Sequence, residues 1–127
     1  MAIRKFSVPV TTVTATGEGY SPYISGFIES IQYVKDGSAA YSDGVDFTIT
    51  AEATGETIWT EADVNAAVIK HPRAATCTTA GVASLYASGG TAVNDRIALS
   101  RDRVKIAIAQ GGNAKTGTFV ITVDDGR

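Results

Sequence analysis

Leucine is nearly missing from this chain: of 127 residues, only Leu85 and Leu99 carry that side chain. Leucine is a favoured helix former and core residue, so its scarcity argues against a helical bundle. The single cysteine, Cys77, cannot form an internal disulfide, which excludes a disulfide-stapled scaffold. The single histidine, His71, excludes any site built on a histidine pair. Charge is sparse at 19% of residues, and the net charge is −2, so there is no basic excess to hold nucleic acid. No run reaches the roughly 18 apolar residues of a membrane-spanning helix. The opening Met1-Ala2-Ile3-Arg4-Lys5-Phe6 lacks the apolar stretch of a leader peptide, and none is expected. Length predicts one domain over residues 1–127, with residues 1–5 as a flexible N-terminal arm.

What is abundant is β-branching. There are 12 Val, 11 Ile and 16 Thr. These side chains are stiff at χ1 and crowd a helix, but they pack well on a pleated sheet. The chain is predicted to be all-β.

Alternation places the strands. Phe6, Val8 and Val10 recur at a spacing of two, and Pro9 between them predicts an edge strand, because proline cannot donate to a ladder. Residues 15–19, with Gly17 and Gly19, read as a loop. From Tyr23 to Lys35 apolar residues fall on both faces: Phe27, Ile31 and Tyr33 on one, Ile28 and Val34 on the other. That predicts a strand covered on both sides, or one bulged near Gly26. After a loop over residues 35–44, Val45, Phe47, Ile49 and Ala51 alternate cleanly with Asp46, Thr48, Thr50 and Glu52. Thr54-Gly55 then turns the chain into a hairpin partner. Thr60 with Asp63 three positions on resembles a helix cap, giving a short helical turn through Ala67. Val68–Lys70 reads as a strand that stops before Pro72. Residues 73–90 follow neither period; a strand over Thr76–Thr79 and a short helix over Val82–Tyr86 both fit. Two further alternating runs, Val104–Ile108 and Phe119–Val123, flank a glycine-bearing loop and predict a C-terminal β-hairpin. The sum is seven or eight short strands in a two-sheet β-sandwich or jelly-roll-like barrel.

Residues that could carry chemistry are few. His71 reads as a surface or structural residue, and Cys77 as a buried, inert thiol. Glu52, Glu56, Glu61 and Asp63 cluster around a turn and read as a solvated hairpin rim rather than a calcium site. Asp124-Asp125 reads as solvated tail. The Lys115-Thr116 pair after Gly111-Gly112 misses phosphate-loop spacing and precedes a strand, not a helix. No catalytic residue, metal site or cofactor is expected.

Surface recognition has more material. Arg101, Arg103 and Lys105 share one face if the strand is regular, either as a solvated face or as a docking surface for an acidic partner. Trp59 reads as a core anchor between sheets, with an interface anchor as the alternative; Tyr20 and Tyr23 are interface candidates near loop ends. Ile3 and Arg4 on the N-terminal arm complete the candidate set.

Several segments occur in a recognisable order: Gly44–Ile49, Thr57–Asn65, His71-Pro72-Arg73, Asn94–Leu99, Asp102–Ala109 and Lys115–Phe119. Together they resemble a group of small virion structural proteins of tailed bacteriophages and prophages, over residues 20–124. The resemblance implies a capsid decoration (cement) protein on the outer surface of the head shell. Its partners would be the major capsid protein and further copies of itself, as dimer or trimer, with no nucleic acid or membrane contact. A neck, tail or fibre-associated adaptor is the second reading. A glycan or host-surface module using Trp59, Tyr20, Tyr23 or Tyr33 is the third.

Overall fold

The structure, a computed structural model, describes residues 2–125. Ten strands follow one another: β1 (Ile3–Thr11), β2 (Gly17–Tyr20), β3 (Ile24–Lys35), β4 (Val45–Ala51), β5 (Thr57–Val64), β6 (Val68–Lys70), β7 (Arg73–Ala75), β8 (Asn94–Asp102), β9 (Val104–Ala109) and β10 (Thr116–Asp124). They form two antiparallel sheets. The larger runs β1-β10-β3-β8-β7, with β6 added to β3, and the smaller runs β2-β9-β4-β5. The fold is an all-β sandwich, and the described residues contain no helix.

The β-branched alternation builds the core between the sheets. Val8 and Val10 of β1, Ile28, Ile31 and Tyr33 of β3, and Phe119, Ile121 and Val123 of β10 line the larger sheet. Val45, Phe47, Ile49 and Ala51 face them from β4, with Val104, Ile106 and Ile108 from β9. Each large apolar side chain so buried stabilises the fold by roughly 1.5–3 kcal/mol. Phe47 is the hub: its ring centroid lies 4.8 Å from Tyr33, 4.9 Å from Phe119 and 5.8 Å from Trp59, all edge-on. Edge-to-face contact aligns the positive ring edge with the negative face, so the cluster gains beyond its burial.

Four sequence expectations hold in detail. Pro9 lies in β1, an edge strand. Val45 to Ala51 alternate in and out as read, and β4 and β5 form the hairpin. Val68–Lys70 is a strand. The irregularity expected near Gly26 is present as a register shift between β3 and β8 at Ile24–Gly26, with the extra residue on β8 rather than β3.

Others are corrected. The face assignment in β3 fails because a second register shift, against β10, makes Glu29 an extra residue: Ile28 opposes Val123 and Ser30 opposes Thr122. The shift brings Ile28 and Ile31 to the same inner face and leaves Phe27 and Val34 exposed. The glycine loop at 15–19 is partly strand β2. A Cβ on Gly19 would meet Val10 Cγ2 at 2.5 Å, so these glycines let β2 lie close over β1. The helical turn after Thr60 does not form, because β5 continues to Val64 opposite Val45.

The predicted C-terminal hairpin is also corrected. β9 joins the smaller sheet and β10 the larger, so the glycine-bearing loop is a crossover. Its backbone is tied to Thr12 and Ser42: Thr12 N–H donates to Lys115 O at 2.8 Å, and Ser42 N–H to Gly111 O at 3.0 Å. That anchor delivers β10 to β1 and β3. Finally, residues 3–5 are not a flexible arm. Ile3, Arg4 and Lys5 oppose Asp124, Val123 and Thr122, because β10 offers them a complete ladder. Met1 lies outside the described residues.

Candidate functional site at the open end of the sandwich

The chain passes from the larger sheet to the smaller through one residue, Arg103, between β8 and β9. This corner is held by buried Asp102, whose Oδ1 accepts from Arg103 N–H at 2.7 Å and Ala53 N–H at 3.0 Å. Ser21 seals it, accepting from Val104 N–H at 2.9 Å through Oγ.

The fixed corner projects the Arg103 guanidinium over two tyrosines. It lies 4.1 Å from the ring centroid of Tyr20 and 5.4 Å from that of Tyr23. Glu52 accepts from Arg103 Nε at 2.7 Å and from its terminal amino group at 2.8 Å, a two-pronged pair. That pairing raises the Arg103 pKa, and the same hydrogen bonds hold the Glu52 carboxyl below its ordinary value. Tyr20 opposes Lys105 across β2 and β9. The Tyr20 hydroxyl donates to Glu18 Oε2 at 3.1 Å, which raises the phenol pKa, and Lys105 Nζ lies 3.8 Å from Glu18.

Beside this stack the interior of the sandwich opens into a groove of about 580 Å³. Phe6, Ile24 and Val123 make its apolar floor, and Arg4, Tyr23, Ser25, Arg101 and Asp125 complete its lining. Arg4 is ion-paired with Asp125. Tyr23 is 66% exposed.

The structure therefore brings together six of the eight sequence candidates, in two adjoining groups. Arg4, Tyr23 and Arg101 share the groove; Tyr20, Tyr23, Arg103 and Lys105 share the stack. Arg101, Arg103 and Lys105 do not form one regular strand face, because the chain is bulged at Arg101 and changes sheet at Arg103. Ile3 is exposed on β1 but does not line the groove. Trp59 is corrected as an interface anchor: it is 7% exposed, packed on Phe47, with its indole N–H donating to Glu61 at 3.3 Å. Tyr33 is likewise buried.

Other expectations change too. Cys77 is exposed rather than buried, since residues 76–93 form a loose ribbon outside the core. Asp124 is not solvated tail; it is buried in β10, where Arg96 donates to it at 2.9 Å. Sequence reading missed this neighbouring network, in which Arg96 also pairs with Glu29 and lies over the Phe27 ring at 4.5 Å, while Arg73 approaches Glu29 at 3.6 Å. Nothing in the spacing of these residues signals it. Among the described residues no group of three or more His, Cys, Asp or Glu side chains could hold a metal ion.

No family model matches the chain, and no curated protein matches it. Among solved structures, one described as the crystal structure of FLHE is similar over 97% of this chain and 98% of that one, at 7% identity and a TM-score of 0.45. A likeness this loose carries no weight for function.

Proposed function

We propose that the protein is a non-enzymatic structural component of a tailed-phage virion, a capsid decoration protein that binds the outer surface of the head shell and stabilises it. The observation that carries the docking part of this reading is the exposed Tyr20–Arg103–Tyr23 stack beside the Arg4–Arg101 groove. Tyrosine and arginine are enriched among the residues that dominate interface energetics: tyrosine brings large contact area at low entropy cost, and arginine a planar fork of directed donors. The Glu52 fork holds Arg103 in place before any partner arrives, which lowers the ordering cost of docking. The virion setting is supported by the segments that resemble phage structural proteins.

Repetition would supply the strength. Modest contacts made many times over a shell, by dimers or trimers of this chain on the major capsid protein, add up through avidity. A neck, tail or fibre adaptor remains the second reading, since it would use the same surface. The glycan-binding reading loses two of its four aromatics, because Trp59 and Tyr33 are buried.

Quantitative mass spectrometry of purified virions tests the assignment. Hundreds of copies per particle are expected for a decoration protein. A handful of copies would move the protein to the neck or tail, and its absence from particles would overturn the virion reading altogether.

A further inference from the structure

We infer that the groove at the open end of the sandwich binds a carboxylate of an acidic polypeptide segment, with Arg101 as its principal ligand. This rests on the reading of that end as a docking surface and names the chemistry it recognises.

In the β3–β8 ladder Ile24 opposes Asp102 and Gly26 opposes Leu99, so Ser100 and Arg101 face the single residue Ser25. Such bulges re-aim a side chain and recur beside functional sites. Arg101 takes the left-handed conformation, φ 46°, which disfavours any residue with a Cβ. It is held there by its own N–H donating to Ser25 Oγ at 3.0 Å. Of the six non-glycine residues with positive φ among the described residues, Arg101 is the one that lines the groove.

Its side chain is the second observation. The described residues include five arginines, and four are ion-paired: Arg4 with Asp125, Arg73 and Arg96 with Glu29, and Arg103 with Glu52. The Arg101 guanidinium makes no hydrogen bond or ion pair with a described residue, although it lines the groove. Asp125, the carboxylate that lines the same groove, engages Arg4. The groove thus presents an unanswered planar cation, and a planar carboxylate is its geometric match.

The third observation is the floor. Phe6, Ile24 and Val123 offer apolar surface directly beside the cation, and the volume of about 580 Å³ exceeds what a lone carboxylate fills. A glutamate or aspartate flanked by an aliphatic side chain satisfies both halves of the groove. The Tyr23 hydroxyl and Ser25 at the rim suit the polypeptide backbone on either side.

The test titrates the ¹⁵N-labelled full chain with a blocked octapeptide of glutamate and leucine interspersed with serine, following backbone amides and the arginine Nε–H signals. Saturable shifts are expected at Arg101, Tyr23 and Ser25. The same peptide with glutamine for glutamate should bind at least about tenfold more weakly. Arg101→Gly is the decisive variant, because glycine accepts φ 46° without strain, so the fold is kept while the guanidinium is removed. Binding should fall at least about tenfold in that variant. Equal affinity of wild type and Arg101→Gly would overturn the inference, as would acetate alone reproducing the shifts at the same affinity. Hundreds of copies in virions with a silent groove would refute this inference and leave the decoration reading. A responsive groove in a protein absent from virions would do the reverse.

Discussion

In the body of the sandwich, Phe47, Ile49, Ile106 and Phe119 interlock between two sheets with 1% or less of their surface exposed. In residues 76–93, Val82, Leu85 and Tyr86 stand in solvent, Tyr86 at 76% exposure. Both regions are rich in small and β-branched residues. The difference is in the order: the body alternates, and the ribbon does not. Without alternation there is no single face to bury, so the ribbon is held by backbone bonds alone or nearly so. It has isolated bridges at Cys77–Ala83 and Leu85–Ala92, and a Thr76 hydroxyl donating to Val93 O at 2.8 Å. From Ala74 to Asn94 no residue is charged. Composition sets the class of structure; periodicity decides which part becomes a core.

The largest expected effect breaks the body. Phe47→Ala should lower stability by about 3–5 kcal/mol, because four aromatic partners surround the cavity it leaves. The corresponding cut in the ribbon, Tyr86→Ala, should change it by less than about 0.5 kcal/mol. Urea unfolding of both variants decides, and similar losses would mean the ribbon packs as the body does.

Glycines sharpen the contrast at smaller scale. A Cβ at Gly117 would meet Tyr41 Cε2 at 2.6 Å and Tyr33 Cε1 at 2.8 Å, so Gly117→Ala should cost about 1–3 kcal/mol through overpacking. At Gly81 in the ribbon nothing lies within 4 Å, and Gly81→Ala should cost about 1–2 kcal/mol through its φ of +84° alone. Cavity-free overpacking and backbone strain separate when Gly81→Asn, which tolerates that conformation, recovers most of the loss and Gly117→Asn does not. Smaller still, Thr48→Ala on the outer face of β4 should be nearly neutral, which makes it the control for Phe47 one residue away.

The smallest effect is electrostatic. Hydrogen bonds from Arg103 lower the folded pKa of Glu52, so its contribution to stability is full above the unfolded glutamate value of about 4.3. It is lost as pH falls through the lower folded value. Glu52→Gln should therefore flatten the acid limb of the stability curve and leave the curve above pH 7 parallel to wild type. An unchanged acid limb would mean the Arg103 fork is not maintained in solution.

Much of the sandwich was legible because alternation is a local property. β1, β4, β9 and β10 each announce their inner face, and Pro9 its edge. What escaped was set by partners distant in sequence. The extra residue at Glu29 exists only against β10, and β2 is a strand only because Gly17 and Gly19 can lie over β1. The two runs flanking the 111–115 loop look like a hairpin from within; the bonds to Thr12 and Ser42 send them to different sheets. The site shows the same division. Residue types picked out Tyr20, Tyr23, Arg101 and Arg103, but not their assembly, which draws on β1, β2, β8 and the corner before β9. The Arg101 bulge had no signal, because a non-glycine residue occupies the position where glycine would have marked it.

The pairing of β1 with β10 has a consequence for how the chain is made. Ile3 meets Asp124, so a strand that leaves the ribosome early must wait for one synthesised long afterwards. β3 waits for the same strand, and β2 waits for β9. The β4–β5 hairpin, closed by the turn at Thr54-Gly55, is the first pairing that can form while synthesis continues, and β3 with β6 can follow it. Closing the remaining loops costs entropy before their contacts reward it, which places such folds in the slow, millisecond-to-second class. Until then the apolar faces of β1 and β3 stay uncovered, and crowded nascent chains are at their most adhesive.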